Sequence, residues 1–321
     1  MGRWVGVDVG GTKVLAGIVT PAGEVLRTIR GTTPGRLTPV EDVENAVVAA
    51  VQEVADGAPT AVGIAAAGFV DVTGSRVMFA PHLPWRGENV RERLGSRLGV
   101  PVVLENDATC AAHAEATYGA GRGASSVVLV TLGTGIGGGL VLGGQVWRGA
   151  SGMAGEFGHM QVVPDGSPCE CGGRGCWEQY CSGNALLRDA RSRVGAEPTV
   201  LAELCDGDPT RLTGPMVSAA AADGDLVARA AFTRIGEWLG VGLANLVAAF
   251  DPEVVVIGGG VSEAGDRLLE PARDTLARTL VGVGHRDVPP VLRAALGPEA
   301  GLIGAALLAA GLSGSRDQGR R

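Results

Sequence analysis

Four residues of types that commonly bind metal ions lie close together in the chain, between positions 159 and 176. Three cysteines, Cys169, Cys171 and Cys176, follow His159, and glycines are interspersed among them. One imidazole nitrogen and three thiolates complete the tetrahedral shell of a structural zinc ion. The glycines allow the backbone to turn tightly enough to bring three sulfurs to one point. The sequence therefore predicts a structural zinc site at these four residues.

Two carboxylates lie at the ends of this segment, Glu156 before His159 and Glu178 after Cys176. A metal ion that orders the segment would also position these groups, and carboxylates form paired hydrogen bonds with hydroxyl-rich ligands. We therefore expect a polar substrate to bind beside the metal site.

The other three cysteines, Cys110, Cys181 and Cys205, stand among apolar or small residues, so we expect them to be buried packing residues. The chain has no charged and then apolar N-terminal leader, which favours a cytoplasmic location. Disulfides rarely persist there, and this makes a disulfide interpretation of the cysteine cluster weaker than the zinc interpretation.

The composition predicts a globular α/β protein. A chain of 321 residues with 53 glycines and 45% apolar residues is long enough for two domains. Its net charge of −7 argues against nucleic acid as the main partner. Gly, Pro or charged residues interrupt each apolar run before it reaches membrane-spanning length, so no membrane association is expected.

A glycine-rich segment follows the first apolar run. Asp8 ends this run, and Gly10, Gly11, Thr12 and Lys13 come directly after it. The pattern predicts a hairpin whose backbone N–H groups and Thr12 hydroxyl face an anion, with Asp8 beside a metal-bound water. An ordinary glycine-rich hairpin explains the same residues equally well.

Residues 127–144 repeat this pattern, with Gly133, Thr134 and Gly135 at the turn. Two such units suggest two copies of one topology that face each other across a cleft, each contacting phosphate from its own side. No Walker-type phosphate loop occurs in the sequence. A Rossmann dinucleotide loop is disfavoured because a hairpin, rather than a strand-to-helix turn, follows the glycines.

Two further segments place polar or small residues at predicted strand ends. A predicted strand at Val102–Leu104 is followed by Asn106 and Asp107, and another strand ends near Gly68. Ligands of open α/β sheets bind at the carboxyl ends of strands. Asp107 is therefore a candidate catalytic group, although it is also a suitable N-cap for the following helix.

Helices are predicted before and after these strands in the sequence. Residues 38–56 have Thr38 as a potential N-cap and Pro39 as the first helical residue. Residues 232–250 form a long apolar helix that Asp251 and Pro252 end. A C-terminal helix of small residues would return to the first domain, and the last residues are expected to fray.

A third glycine-rich turn, Gly258–Gly260, follows the predicted strand after Pro252. Its lack of side chains would let a nucleobase or ribose lie against the backbone, and a tight strand-to-helix turn is the alternative.

Seven motifs, in this order, resemble those of the ROK family (repressors, open reading frames and sugar kinases). They are DVGGTK (8–13), AAAG (65–68), ENDA (105–108), LGTGIGGG (132–139), GEFGH (155–159), CECGGRGCWEQYCSG (169–183) and IGGGVS (257–262). Within that family the chain is similar to the zinc-containing glucokinases, especially those of actinobacteria. The resemblance implies an α/β, actin-like ATPase fold with two RNase H-like domains and an interdomain cleft. The implied domains are a small one, residues 1–118 with a C-terminal helix at about 300–312, and a large one, residues 119–299, with the zinc loop. A flexible tail would follow at 313–321.

The resemblance also implies a role for each motif. Asp107 would be the general base on the sugar 6-hydroxyl. Its implied sugar-binding partners are Gly68, Asn106, Glu156, His159 and Glu178. His159 would bind zinc with one ring nitrogen and the sugar with the other. The residues implied to lie around ATP and Mg²⁺ are Asp8, Gly10, Gly11, Thr12, Lys13, Thr134 and Gly135, with Gly258, Gly259 and Gly260 beside the adenosine.

The implied activity is ATP-dependent phosphorylation of glucose to glucose 6-phosphate, the first step of glycolysis, by a cytoplasmic homodimer or homotetramer. A kinase for mannose, fructose, allose or an N-acetylhexosamine is the main alternative. Relatives that use polyphosphate typically lack the cysteine cluster, which favours ATP. A sugar-responsive regulator is expected less, because the first strand starts near residue 3 and leaves no space for a DNA-binding segment. A zinc hydrolase is disfavoured since three cysteines and one histidine leave no open coordination position.

Overall fold

The computed structural model describes residues 3–55 and 57–318. Over these residues the regular elements are, in chain order, β1 (Trp4–Val9), β2 (Lys13–Val19), β3 (Val25–Thr32), α1 (Val40–Val54), β4 (Ala61–Ala66), β5 (Phe69–Val70), β6 (Val77–Phe79), α2 (Val90–Leu98), β7 (Val102–Asn106), α3 (Asp107–Thr117), β8 (Val127–Leu132), β9 (Ile136–Leu142), β10 (Gln145–Val146), α4 (Gly183–Arg191), α5 (Leu201–Leu204), α6 (Gly214–Asp223), α7 (Leu226–Phe250), β11 (Val254–Gly258), α8 (Asp266–Thr279), β12 (Val291–Arg293) and α9 (Ala300–Gln318). Short 3₁₀ helices occupy Phe157–His159, Trp177–Gln179, Pro209–Arg211, Gly260–Ala264 and Gly297–Glu299.

The first sheet has the strand order β3–β2–β1–β4–β7. The pairs β1–β2 and β2–β3 are antiparallel, and the first of them confirms the predicted hairpin. The pairs β1–β4 and β4–β7 are parallel. Every residue of β4 is buried, because the strand is covered on both faces and consists of apolar or small residues. The three parallel strands direct their carboxyl ends to one edge of the sheet.

Helix α1 covers one face of this sheet with valines at helical spacing, including the fully buried Val43 and Val47. The helix begins at Val40, one residue later than predicted. The prediction that Thr38 caps it is wrong, because the Thr38 hydroxyl donates to the carbonyl oxygen of Gly35 at 2.8 Å instead. Pro39 occupies the N-cap position, where it forms no side-chain cap.

Helix α9 packs on the same sheet at very short distance. A Cβ atom added to Gly63 in β4 would overlap the carbonyl oxygen of Ala305, and one added to Gly6 in β1 would overlap that of Leu302. Glycine at these positions lets the helix backbone approach the strands directly. The helix extends to Gln318 rather than ending near residue 312, and residues 319–321 of the expected tail lie outside the described residues.

The second five-stranded sheet has the order β10–β9–β8–β11–β12. Its hairpin between β8 and β9 confirms the predicted glycine-rich turn. Helix α7 starts at Leu226, six positions before the predicted start at 232, because Asp225 caps it by accepting from the N–H of Ala228 at 2.8 Å. It ends at Phe250, directly before Asp251 and Pro252, as the sequence predicts, and Asp251 has the left-handed conformation. Among the described residues, no helix combines the length and apolar composition needed to cross a membrane.

Contacts along the chain define two compact units. Over the described residues, the first comprises 3–55, 57–129, 139–155 and 294–318, and the second comprises 130–138 and 156–293. In the first unit, the fully buried Glu115 of α3 accepts hydrogen bonds from three backbone N–H groups. They belong to Ala120 at 2.8 Å, Ala295 at 3.1 Å and Leu296 at 2.8 Å. This carboxylate therefore connects the end of α3 to residues 295 and 296, where the chain returns to the first unit.

Candidate active site

Asn106 and Asp107 lie at the junction of β7 and α3, in the first unit. The Asn106 side chain caps α3, since its Oδ1 accepts from the N–H of Thr109 at 2.9 Å. Its amide nitrogen donates to the carbonyl oxygen of Gly68 at 3.2 Å and to Asp107 Oδ1 at 3.1 Å. The alternative in which Asp107 serves only as the helix cap is therefore wrong, because its neighbour has that role.

Asp107 lies in an environment that disfavours its charged form. Burial, and next the negative charge of Asp8, raise the pKa of Asp107 to about 6. Hydrogen bonds from the N–H of Ala108, at 2.9 Å, and from Asn106 act in the opposite direction. A carboxylate with this pKa is ionised at neutral pH and is a better proton acceptor than an ordinary aspartate.

The turn after β1 is a tight hairpin. The N–H of Gly10 donates to the carbonyl oxygen of Lys13 at 3.0 Å. Burial raises the pKa of Asp8, and the nearby charge of Lys13 opposes this shift. Thr12 is exposed at the tip of the turn, which leaves its hydroxyl accessible. These residues form a compact turn with a buried carboxylate at its base, which is suitable for a phosphate and a divalent cation.

His82 is a neighbour of this turn that the sequence did not reveal. A Cβ atom added to Gly11 would lie 2.5 Å from Cβ of His82. A Cβ added to Gly68 would meet the backbone of Phe79 and Ala80 at 2.7 to 3.0 Å. The segment that contains these residues therefore lies against both glycines, at the carboxyl ends of β1 and β4. Because this segment is distant in sequence from the hairpin, no local sequence pattern predicted the contact.

The second glycine-rich turn lies in the second unit. The N–H of Gly133 donates to the carbonyl oxygen of Gly135 at 3.0 Å, and the N–H of Gly183 donates to that of Gly133 at 2.8 Å. A Cβ atom added to Gly135 would lie 2.5 Å from Oε2 of Glu178. The Glu178 carboxylate therefore lies beside this turn, in which Thr134 stands between the two glycines.

The predicted zinc ligands come together in the second unit. The four ligand atoms of His159, Cys169, Cys171 and Cys176 all lie within 4.8 Å of one another. Cys171 and Cys176 have their sulfurs 3.6 Å apart, and His159 Nδ1 lies 3.7 Å from the Cys169 sulfur. Zn–S bonds of about 2.3 Å at tetrahedral angles place sulfurs about 3.7 Å apart. The donor set and its spacing therefore fit a structural zinc ion, which would order the segment.

His159 has one ring nitrogen beside the sulfurs, and Glu178 contacts the same cluster. The imidazole nitrogen that faces the sulfurs is Nδ1, so Nε2 is the nitrogen left for another partner. Oε1 of Glu178 lies 3.7 Å from His159 Nδ1 and 3.1 Å from the Cys169 sulfur. Glu156 precedes the 3₁₀ turn and accepts from the N–H of His159 through its backbone oxygen at 3.2 Å.

Aromatic residues that the sequence interpretation did not use anchor the same segment. The buried Trp177 donates from Nε1 to the carbonyl oxygen of Trp238 in α7 at 2.7 Å. Gly242 gives its ring room, because a Cβ atom there would overlap the indole. Tyr180 accepts from the N–H of Ser167 at 2.8 Å through its hydroxyl oxygen. The segment thus has packing contacts that are independent of a metal.

Gly258 is the last residue of β11, and Gly260 is the first residue of a short 3₁₀ helix. Gly259 has a φ of 81°, and a Cβ atom there would overlap the backbone of Leu132. A Cβ atom at Gly260 would have no neighbour within 4 Å. Glycine at position 259 is therefore required by the fold, whereas Gly260 borders open space.

The candidate residues form two groups, one in each unit. In the first unit, Asp8, Gly10–Lys13, Gly68, Asn106 and Asp107 lie at or just after the carboxyl ends of β1, β4 and β7. In the second unit, Thr134 and Gly135 lie beside Glu178, which contacts the His159 and cysteine cluster.

Comparison with known proteins gives a consistent result. The model of the ROK family matches residues 4–311. The glucokinase of Streptomyces coelicolor is 46% identical over 313 residues, which cover 96% of this chain and 98% of that protein. A ROK family glucokinase from Streptomyces griseus, solved in complex with glucose and AMPPNP, has a TM-score of 0.87 and 46% identity, covering 97% of this chain and 100% of that one. The ROK hexokinase from Thermus thermophilus has a TM-score of 0.79 and 35% identity, covering 98% and 99%.

The architecture and these similarities define an α/β protein of the actin-like ATPase fold, which confirms the predicted fold class. Within that class, the chain belongs to the ROK family.

Proposed function

We propose that this protein is a glucokinase, which transfers the γ-phosphoryl group of ATP to the 6-hydroxyl of glucose. The observation that carries the proposal is Asp107, a carboxylate with a pKa of about 6 at the carboxyl end of β7, beside Asp8. The similarity to the glucokinases of Streptomyces over nearly the whole chain supports the same activity.

Asp107 acts as the general base in this proposal. Phosphoryl transfer requires mainly alignment of the reactants and stabilisation of charge. Asp107 accepts the proton of the 6-hydroxyl as the oxygen–phosphorus bond forms, and Asn106 orients its carboxylate through the amide contact. The Asp8 carboxylate is suited to hold Mg²⁺ with its water, and the metal when bound neutralises charge on the phosphates.

Two groups of residues bind the reactants in this proposal. The phosphates contact the turn of Gly10, Gly11, Thr12 and Lys13 and the turn of Thr134 and Gly135, and the adenosine lies along Gly258, Gly259 and Gly260. The hexose hydroxyls contact Asn106, Glu156, His159 and Glu178, with Gly68 contributing its backbone. The zinc ion held by His159, Cys169, Cys171 and Cys176 keeps His159 Nδ1 occupied, which leaves Nε2 for the sugar.

The remaining proposals concern the whole protein. We propose that it works in the cytoplasm at the first step of glycolysis, as a homodimer or homotetramer. We also propose a small functional domain of residues 1–118 with a C-terminal helix at 300–312, and a large domain of residues 119–299.

A coupled kinase assay that crosses a hexose panel with two donors tests the activity. Glucose, mannose, fructose, allose and N-acetylglucosamine are each offered with ATP and with polyphosphate, and the product with glucose is identified as glucose 6-phosphate. We expect the highest kcat/KM for glucose with ATP. A higher kcat/KM for another hexose would favour the alternative kinase, and turnover only with polyphosphate would contradict the donor.

A further inference from the structure

Glu105 is a buried carboxylate directly before the two candidate catalytic residues. It lies in β7 with 3% of its surface exposed. Its Oε1 accepts from the N–H of Asn106 at 2.9 Å, and its Oε2 accepts from Nε of Arg148. The side chain therefore bonds the backbone of the residue that caps α3 and orients Asp107.

The positive charge of Arg148 offsets the energetic cost of burying the Glu105 carboxylate. Burial raises the pKa of Glu105, the nearby Asp71 adds to this shift, and Arg148 opposes it. A buried carboxylate whose charge is compensated neither by a cation nor by enough hydrogen bonds is strongly destabilised or takes up a proton. Burial lowers the pKa of His113 on α3, and the guanidinium charge of Arg148 adds to this shift.

Arg148 also belongs to a second fixed segment. Its backbone oxygen accepts from the N–H of Ala154 at 3.1 Å. Gly152, in the same segment, has a φ of 90°, and a Cβ atom there would overlap the backbone of Val70. Residues 148–155 therefore pack tightly within the first unit, and the next residue along the chain is Glu156.

We propose that Glu105 and Arg148 are a positioning pair, which fixes Asn106 and Asp107 in the orientation needed for proton transfer. Neither residue contacts the reactants in this proposal, which rests on the proposed function and specifies how its base is held. Small misplacements of reacting groups cost about 100-fold in rate, so a pair that acts only through its neighbours has a large kinetic effect.

Kinetics of Arg148→Gln, Glu105→Gln and the double variant test the pair. Because the single variants release the Glu105 carboxylate, the backbone N–H of Asn106 loses its fixed acceptor. We therefore expect kcat to fall about 10-fold to 100-fold, with KM for ATP within about twofold of wild type. The double variant should lose no more than the worse single variant, since the two residues act as a unit. Arg148→Lys should recover part of kcat. The matched control is Arg234→Gln, because Arg234 is as exposed as Arg148 and forms an ion pair with Asp189 in the second unit, so this variant should keep wild-type kcat.

Amide hydrogen exchange gives a readout that does not depend on activity. In Arg148→Gln, the N–H groups of Asn106 and Thr109 should exchange at least 10-fold faster, while amides in the core of β1 keep their protection. Unchanged exchange at these two amides, or uniformly faster exchange through the whole chain, would overturn the positioning role. A wild-type protein without glucose-dependent turnover would instead overturn the proposed function, and the exchange result would still decide whether the pair fixes this junction.

Discussion

The neighbouring residues Asn106 and Asp107 have separate tasks. The asparagine caps α3, bonds Gly68 and contacts the aspartate, which leaves the Asp107 carboxylate available for chemistry. Burial and Asp8 then raise the pKa of that carboxylate to about 6. A strand end with a single polar residue would have to use the same side chain for the cap and for the reaction.

The pH dependence of turnover follows from this pKa. We expect kcat/KM to fall about tenfold per pH unit below pH 6, because the protonated carboxyl cannot accept the hydroxyl proton. Asp107→Asn should reduce turnover by orders of magnitude at all pH values. Steady-state kinetics between pH 5 and 8 measure both effects. A constant kcat/KM between pH 5 and 7 would contradict the assignment of the base.

The same shift makes Asp107 costly for stability. A carboxyl whose pKa is raised on folding from 3.8 to about 6 stabilises the fold fully below pH 3.8, and this contribution is lost as the pH rises through 6. At pH 7 the ionised group therefore destabilises the protein. We expect Asp107→Asn to raise the free energy of unfolding by about 1–2 kcal/mol at pH 7, after allowing for partial exposure, and by much less at pH 4. Urea denaturation at the two pH values checks this, and equal changes at both would contradict it.

The metal site can be tested at its most accessible ligand. Cys171 is exposed, so Cys171→Ser should cost little packing energy yet remove one of the four ligands. We expect loss of stoichiometric zinc together with much of the activity, measured by metal analysis and the kinase assay. Cys205→Ser is the control. Cys205 is buried and lies outside the cluster, so this variant should keep stoichiometric zinc. Stoichiometric zinc in Cys171→Ser would contradict the ligand set.

Residue-scale prediction succeeded where ligands are close in sequence. The zinc cluster lies within 18 positions, His159 to Cys176, and the structure brings its four ligands together. Arg148 and His82 could not be found in this way, because their partners Glu105 and Gly11 are distant along the chain and only the folded sheet brings them together. The roles assigned to the individual site residues stay predictions.

Among the helices and strands, α9 relies most on glycines for its packing, because a side chain at these positions would overlap a neighbouring backbone. Gly6 and Gly63 on the strands allow helix and sheet backbones to touch, and Gly304 on the helix does the same against Cys110 of α3. Sequence patterns indicated a C-terminal helix of small residues but not which strand glycines it needs. Such pairs are long-range, so neither partner predicts the other. The capping prediction at Thr38 was wrong for a different reason, since a local turn took up the hydroxyl.

Gly63→Ala tests this close packing. The added methyl group would overlap the carbonyl oxygen of Ala305, so the helix must shift, and we expect a loss of about 3 kcal/mol or more in the free energy of unfolding. Gly31→Ala in β3 is the matched control, because a Cβ atom there has no neighbour within 4 Å and should change stability by less than about 1 kcal/mol. Chemical denaturation measures both, and equal stabilities of the two variants would contradict the packing argument.

At the scale of the whole molecule, the first unit consists of three separate stretches of chain, and Glu115 connects two of them. Its carboxylate accepts from the N–H groups of Ala120, Ala295 and Leu296, with no hydrogen bond to a cation among those of the described residues. A buried carboxylate is stable in such a place because several backbone donors share its charge.

Removal of this carboxylate should destabilise the whole first unit. Glu115→Ala removes the acceptor of all three N–H groups and leaves a cavity at a fully buried position, and we expect a loss of about 3 kcal/mol or more. Glu115→Gln should lose less, since one oxygen acceptor remains. The control is Glu53→Gln, at an exposed position of α1. Urea denaturation gives the values, and a change of less than about 0.5 kcal/mol in Glu115→Ala would contradict the role of the carboxylate.

The position of α9 at the end of the chain also has a consequence for synthesis on the ribosome. Residues 156–293 of the second unit form one continuous stretch and can fold as soon as they emerge. The first sheet is made much earlier, yet the helix that covers Gly6 and Gly63 is translated last. During most of translation these strand glycines therefore lack the helix that packs on them, and a premature stop codon before residue 300 would release a chain without it.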